Sequence, residues 1–252
     1  MSLSSRWLMT LTPAQLDALP REAGVVILPI GAVEQHGPHL PVGTDACIGA
    51  ALLQALDAAL PPEAPVWFAP PIWISKSNEH LDFPGVLTLS RDMLADLLAA
   101  SLAQLREWGF PRIALLNTHG GNLPLLRCCL REWAVSQPPA PALLQAMPNL
   151  EGELPARELA LGLHAGTYET ALMLALAPEA CDAPLADTQW IDHAFPAPGI
   201  AAEDAPATFA WTAKDLSPSG TMGDARAATA AQGQRWISLA TQHLLDQIRN
   251  LT

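Results

Sequence analysis

The sequence predicts an α/β fold: a three-layer αβα sandwich with a mainly parallel central sheet, in a single domain covering residues 1–252. Three observations lead there. Short apolar runs of β type alternate with helical stretches, the pattern of strands joined by helical crossovers. Half of the residues are hydrophobic and only 15% are charged, so the chain can bury a large core and is not a disordered one. Histidines and carboxylates gather just after strand-like runs, where open α/β sheets place their ligands.

Taken in order, residues 24–30 (GVVILPI) read as a buried strand and residues 46–60 (ACIGAALLQALDAAL) as an Ala/Leu-rich helix stopped by Pro61-Pro62. Residues 66–74 form a second strand region punctuated by prolines. Residues 91–108 make the clearest helix, with Ser90 as N-cap and Gly109 just past the end. A third strand follows at 113–117, a helix at 123–133, a proline-rich connection at 137–141 and a short strand at 142–146. Residues 168–176 look helical. The stretch 178–219 is rich in Pro, Ala and Asp, too long for a simple connection, and reads as a wrapping excursion or a subunit-contact segment. The last helix is expected from about Ala225 to Arg249, opened by Asp224.

The net charge of -12, from 13 Lys+Arg against 25 Asp+Glu, argues against nucleic-acid and anionic-membrane partners, because such binding needs clustered Lys and Arg. Cys47, Cys128, Cys129 and Cys181 form no CxxC pair, and Cys47 reads as a small buried hydrophobe. The first 19 residues lack the charged and apolar regions of a signal peptide, and no apolar run approaches the roughly 18 residues of a membrane span. A protein of the reducing cytoplasm is the expectation. The low charge content is compatible with surface buried between subunits.

The stretch Gly31-Ala32-Val33-Glu34-Gln35-His36-Gly37-Pro38-His39-Leu40-Pro41-Val42-Gly43-Thr44-Asp45 follows the first strand directly. Glu34 and His36 are two apart, so in extended backbone they point to one side. Asp45 returns at the next helix, and such a set suits a divalent cation of intermediate hardness. The third strand delivers Asn117-Thr118-His119-Gly120-Gly121-Asn122 in the same way, its glycines permitting close approach of the backbone to a ligand. His164-Ala165-Gly166-Thr167-Tyr168-Glu169 is a third such junction. Each piece has a plainer reading. Glu34, His36 and Asp45 could be a capped turn, Glu169 a helix N-terminal acid, His164 structural and Ser77 a turn serine. His39 is left out of the site as packing under Pro38 and Pro41. Gly220-x-x-Gly223 reads as a tight turn, and His193 and His243 as surface or core residues.

These blocks resemble the creatininase (creatinine amidohydrolase) family. The matching segments are Leu28 to Gly37 with Asp45, Ser77-Asn78-Glu79-His80-Leu81-Asp82-Phe83-Pro84-Gly85, Asn117 to Asn122, His164-Ala165-Gly166 with Glu169-Thr170, and Ser219-Gly220-Thr221-Met222-Gly223-Asp224. The resemblance implies that Glu34, Asp45 and His119 bind a first metal, and that His36 and a bridging Asp45 bind a second. Creatininase has a glutamate as the last second-metal ligand where this chain has Gly121. In relatives with the His-Gly-Gly-Asn form the later glutamate takes over, here Glu169; otherwise one metal alone would bind. By the same resemblance His164 shuttles the leaving group's proton, Ser77 and the Gly120 backbone contact substrate, and Glu79 and His80 orient the ligands.

The implied function is hydrolysis of a small C–N bond, in an amide, cyclic amide or formamide, by water activated on two divalent ions (zinc, manganese or iron) or on one. Creatinine itself fits poorly, since residues 151–163 carry none of the tryptophans that creatininase places over its ring. Family relatives that deformylate a formamidopyrimidine or trim a modified peptide are alternatives, as is a mononuclear iron enzyme of the same fold. From another class, a non-catalytic module would cradle an anion at His119-Gly120-Gly121-Asn122, with the acidic cluster as solvated surface. The resemblance further implies a small-molecule substrate and a homo-oligomer, commonly a hexamer.

Overall fold

A computed structural model describes residues 6–203 and 205–251. Its elements are, in order, α1 (Pro13–Asp17), β1 (Val25–Ile30), α2 (Thr44–Ala59), β2 (Val66–Phe68), α3 (Arg91–Glu107), β3 (Arg112–Asn117), α4 (Leu123–Ser136) and β4 (Ala142–Gln145). The chain continues through α5 (Ala156–Leu161), α6 (Thr167–Leu176), β5 (Thr188–Gln189), β6 (Ile200–Ala201), β7 (Ala207–Thr208), α7 (Ala213–Leu216), β8 (Gly223–Asp224) and α8 (Ala230–Arg249). The central sheet is parallel throughout, in the order β2-β1-β3-β4.

Alternation along β1 divides the core into two layers. Val25 and Ile27 face Leu52, Leu53 and Leu56 of α2, Ala171 and Leu172 of α6, and Trp236 and Leu244 of α8. Val26, Leu28 and Ile30 face Leu94, Leu98 and Leu102 of α3 and Leu126 and Trp133 of α4. A strand buried on both faces has no polar side to alternate with, which is why GVVILPI is apolar throughout. The αβα sandwich follows from these two contacts.

Pro29 is unusual in a central strand, because it lacks an N–H for the ladder. The Ile27 carbonyl accepts from Ala69 N and the Pro29 carbonyl from Ile72 N, so these residues bond toward β2. The missing donor therefore falls opposite Pro70-Pro71, where β2 is interrupted. For the same reason the second strand region ends at Phe68 rather than 74, leaving Ile72 as an isolated bridge to Ile30.

Other expectations also shift. The last helix begins at Ala230, not Ala225: Thr229 forms its capping box with Gln232, while Gly223-Asp224 pairs with β5. Asp224 is thus a strand residue. Cys47 is exposed, because it lies on the outward face of α2 beside the buried Asp45. Helices α1 and α5 were not expected; both are too short to show periodicity. Within the excursion, Ile191, Ala202, Ala213 and Leu216 build a small third core with Phe83, Leu161, Leu163 and Met222. The excursion packs on the chain's own loops. No described helix is long and apolar enough to cross a membrane.

Helices α6 and α8 meet at Gly233, where an added Cβ would lie 1.9 Å from the Ala171 carbonyl oxygen. On a free helix, Gly→Ala would stabilise by about 1 kcal/mol. Overpacking of this contact costs about 1–3 kcal/mol and reverses the sign. Gly233→Ala should therefore lower the urea midpoint; an unchanged or raised midpoint would show that α6 and α8 do not touch here.

Candidate metal centre

The site is assembled by strand register. β1 and β3 run in step from Val25↔Arg112 to Ile30↔Asn117, so Gly31 and Thr118 leave the sheet side by side. Thr118 N donates to the Ile30 carbonyl, and Gly31 N to that of Ile72, which brings 73–80 to the same edge. Thr118 Oγ1 donates to the Asp45 carbonyl at 2.9 Å and so ties the start of α2 to the end of β3. Glu34, His36, Asp45, Ser77, His80 and His119 therefore arrive together. Loop 164–166 and α6 close the site with His164 and Glu169.

Asp45 lies at the centre. Its Oδ1 is 3.4 Å from His36 Nε2, and its Oδ2 is 3.3 Å from His119 Nδ1. Glu34 Oε1 is 3.2 Å from His119 Nδ1 and 3.6 Å from His164 Nδ1, while Glu169 Oε1 is 3.9 Å from His36 Nε2. The donor atoms of Glu34, Asp45 and His119 lie within 4.8 Å of one another, as do those of His36, His164 and Glu169 and those of Glu34, His80 and His164. Glu34 and His36 are 0% exposed and Asp45 1%, so these carboxylates are not solvated surface and surround His119 with negative charge. That removes the setting the anion-cradling module required.

The hydrogen bonds fix which imidazole nitrogens point inward. His36 Nδ1 meets the Glu34 carbonyl at 3.1 Å, His119 Nε2 the Lys76 carbonyl at 3.0 Å, and His164 Nε2 the Gln35 carbonyl at 2.6 Å. A carbonyl only accepts, so each of these nitrogens carries the proton. The other ring nitrogens, His36 Nε2, His119 Nδ1 and His164 Nδ1, are left facing the carboxylates. Metal-binding histidines are held in this way. Glu34 Oε1, His36 Nε2 and Asp45 Oδ2 are buried without a hydrogen-bond partner. Buried polar atoms are rarely left so, and donors of this chemistry fit one or two divalent cations.

Electrostatics point the same way. Burial opposes charge on His36, but Asp45, with Glu169 and Glu34, outweighs it and raises the imidazole to about 10. Burial likewise opposes charge on His119, yet Glu34, Asp45 and Glu79 lift it well above its ordinary value. Burial pushes Glu34 up, but His119, His164 and His36 hold it well below the usual carboxylate range. His164 goes well below the usual value through burial and the neighbouring His36 and His80, so its imidazole is neutral. Burial raises Glu169 to about 7 against the pull of His36.

The remaining expected residues surround this cluster. Ser77 is buried and donates its hydroxyl to Glu34 Oε2. His80 Nδ1 accepts from Gln35 Nε2 at 2.8 Å, which turns Nε2–H toward Glu34 Oε1 at 3.5 Å. Glu79 lies between His119 Nε2 at 3.4 Å and Lys76 Nζ at 3.6 Å. A Cβ on Gly121 would sit 1.8 Å from Glu79 Oε1, so a side chain at that position would have to displace Glu79, while Glu169 stands 3.9 Å from His36 beside Asp45. Gly120 faces open space. His39 points away from the cluster, its Nε2 2.8 Å from Thr170 Oγ1.

Sequence reasoning missed Gln35. Period-two alternation turns it away from Glu34 and His36, yet its amide joins His80 to Gly37 N and its carbonyl holds His164. Gly220, at φ 87°, leaves room for that amide, since a Cβ there would lie 2.0 Å from Gln35 Oε1. The GTMG block is thus packing for the site as well as a turn.

An open parallel sheet with a buried carboxylate–imidazole cluster at its strand ends defines an α/β protein with a candidate metal site. The chain belongs to the creatininase family: the model of that family, described as creatinine amidohydrolase, matches residues 9–248. It is 31% identical over 242 residues to the mycofactocin precursor peptide peptidase of Mycolicibacterium smegmatis, covering 95% of this chain and 89% of that one. It is 26% identical to the creatinine amidohydrolase of Pseudomonas putida over 245 residues, 89% of this chain and 88% of that protein. A creatininase structure with manganese superimposes with a TM-score of 0.74 at 24% identity, covering 98% of each chain, and shares the fold.

Because His36 holds a proton until about pH 10, a cation must displace it to bind. Affinity should rise with pH up to that value, with protons released on binding. Calorimetric titration of metal-free protein with Mn²⁺ in two buffers of different ionisation enthalpy measures this. Identical heats in both would refute the competition.

Proposed function

We propose that this protein is a divalent-metal-dependent hydrolase that cleaves C–N bonds of small amides or modified peptides and does not act on creatinine. The observation that carries the reading is the sharing of Asp45, whose two oxygens face His36 and His119 at 3.4 and 3.3 Å. Glu34, Asp45 and His119 would hold one cation, and His36, Asp45 and Glu169 the other. Solved creatininases of this fold include manganese and Zn–Zn forms, which supports zinc or manganese here.

Bound cations supply Lewis acidity toward the scissile carbonyl and bring the pKa of a water to about 7. His164 is neutral, and its Nδ1 faces the cluster 3.6 Å from Glu34, placed to take a proton and deliver it to the leaving nitrogen. Ser77, His80 and Gln35 hold Glu34 and His164 in orientation. The open space at Gly120 leaves room for substrate beside His119.

The relatives' names include a peptide peptidase, a creatinine amidohydrolase and a formylaminopyrimidine deformylase, all acting on C–N bonds, beside a 3-dehydro-scyllo-inosose hydrolase, which does not. Residues 151–163 favour the peptide kind over creatinine, because this segment carries no aromatic to cover a flat ring and folds into α5. The partners proposed are a small-molecule substrate and other copies of this chain, and neither nucleic acid nor an anionic membrane.

A panel of short peptides, formamides, lactams and creatinine tests the reading, with protein treated with chelator and then reloaded. Turnover should vanish with chelation and return with Mn²⁺ or Zn²⁺. His36→Ala and Asp45→Ala should abolish it with the fold intact; undiminished turnover in either would overturn the mechanism. His164→Ala should lose about 10²–10⁴-fold in kcat while still binding the cation. A loss below tenfold would remove His164 from proton transfer.

A further inference from the structure

Outside the cluster, the most deeply buried carboxylate among the described residues belongs to Glu158 in α5, at 4% exposure. Its Oε1 accepts from Thr167 N at 2.6 Å and its Oε2 from Asp224 N at 2.8 Å. Three glycines make room for it. A Cβ on Gly162, Gly166 or Gly223 would lie within 2.7 Å of its carboxylate oxygens. A buried carboxylate held by backbone N–H groups is costly to place and strongly directional.

The two segments joined in this way carry part of the cation site. His164 and Met222 exchange backbone hydrogen bonds at 3.2 and 2.7 Å, and Glu158 clamps both chains just beyond that bridge. Between bridge and clamp lies Ala165, in the left-handed region at φ 51°, a conformation that costs a non-glycine residue energy and persists only under restraint. Ala165 N donates to Glu169 Oε2 at 2.6 Å, which leaves Oε1 to face His36. Glu158 therefore fixes the turn, the turn fixes Glu169, and Glu169 completes one of two ligand sets. The described hydrogen bonds of the Glu158 carboxylate reach none of Glu34, Asp45 and His119, which stand on the segments after β1 and β3 and on α2; His164, 3.6 Å from Glu34, lies between the two groups.

We propose that Glu158 is a positioning residue that sets the affinity of one cation position, the one formed by His36, Asp45 and Glu169, and leaves the other unaffected. The inference rests on the two-cation reading above. Glutamine has the same shape but one acceptor oxygen, so Glu158→Gln would turn an amide N–H₂ against one of the two backbone donors.

The test is calorimetric titration of metal-free, full-length protein with MnCl₂, with Co²⁺ absorption spectra as a second readout of ligand geometry. Wild type should bind two equivalents. Glu158→Gln should keep one at unchanged affinity and bind the other about 10–100-fold more weakly, the usual cost of losing a partner that orients a ligand. It should also alter the Co²⁺ spectrum of that position alone. Glu158→Asp, which keeps the charge but cannot reach both donors, should weaken the same position and decides the matter if the glutamine variant does not fold. Two unchanged affinities in a folded variant, even with a lowered Tm, would make Glu158 merely structural. Fewer than two equivalents in wild type would remove the two-cation reading and this inference together, before any variant is compared.

Discussion

The constraint on which the structure depends is the burial of carboxylates close together. Glu34 and Asp45 present oxygens within 4.8 Å of one another in a region closed to solvent. Two unit charges at that spacing repel by roughly 3–4 kcal/mol at an effective dielectric of about 20, a large part of a domain's whole stability. Only positive charge in the same place offsets this, from imidazolium or from a cation. The site is arranged to provide it, with three inward ring nitrogens and each opposite ring nitrogen anchored to a backbone carbonyl.

The scaffold meets this demand in two ways. Parallel register brings the ends of β1 and β3 together, and the interruption of β2 at its prolines turns 73–80 toward the same edge. This half of the site stands on the rigid sheet. The other half, His164 and Glu169, stands on the 164–166 turn and the first turn of α6. It is held by the bridge to Met222, by Glu158, and by the small core that the 178–219 excursion forms with Leu161, Leu163 and Phe83. The excursion thus steadies a functional loop from outside the main sandwich.

Much of the fold was legible because the apolar period and the end signals agree. The 91–108 helix was recovered to within a residue, since Ser90 caps Met93 N and Gly109 follows at φ 91°. The start of the last helix was misplaced, because an acid at 224 resembles a cap as closely as Thr229 does. Only the pairing of Gly223-Asp224 with Thr188-Gln189 separates them. Chemical residues at strand ends were equally visible, since strand-end position and residue type are both local properties.

What the sequence determined by itself was the αβα layering, the candidate metal-binding residues and the family, because each is written in short-range pattern or in a specific run of residues. What only the tertiary structure decided was which atoms face one another. Asp45 stands between His36 and His119, Glu79 fills the space beside Gly121, and Glu169 stands near His36. Gln35 and Glu158 gained their positions from contacts spanning 45 to 185 and 9 to 66 residues. Such contacts are set by chain packing, and no local pattern encodes the distance between side chains so far apart along the chain.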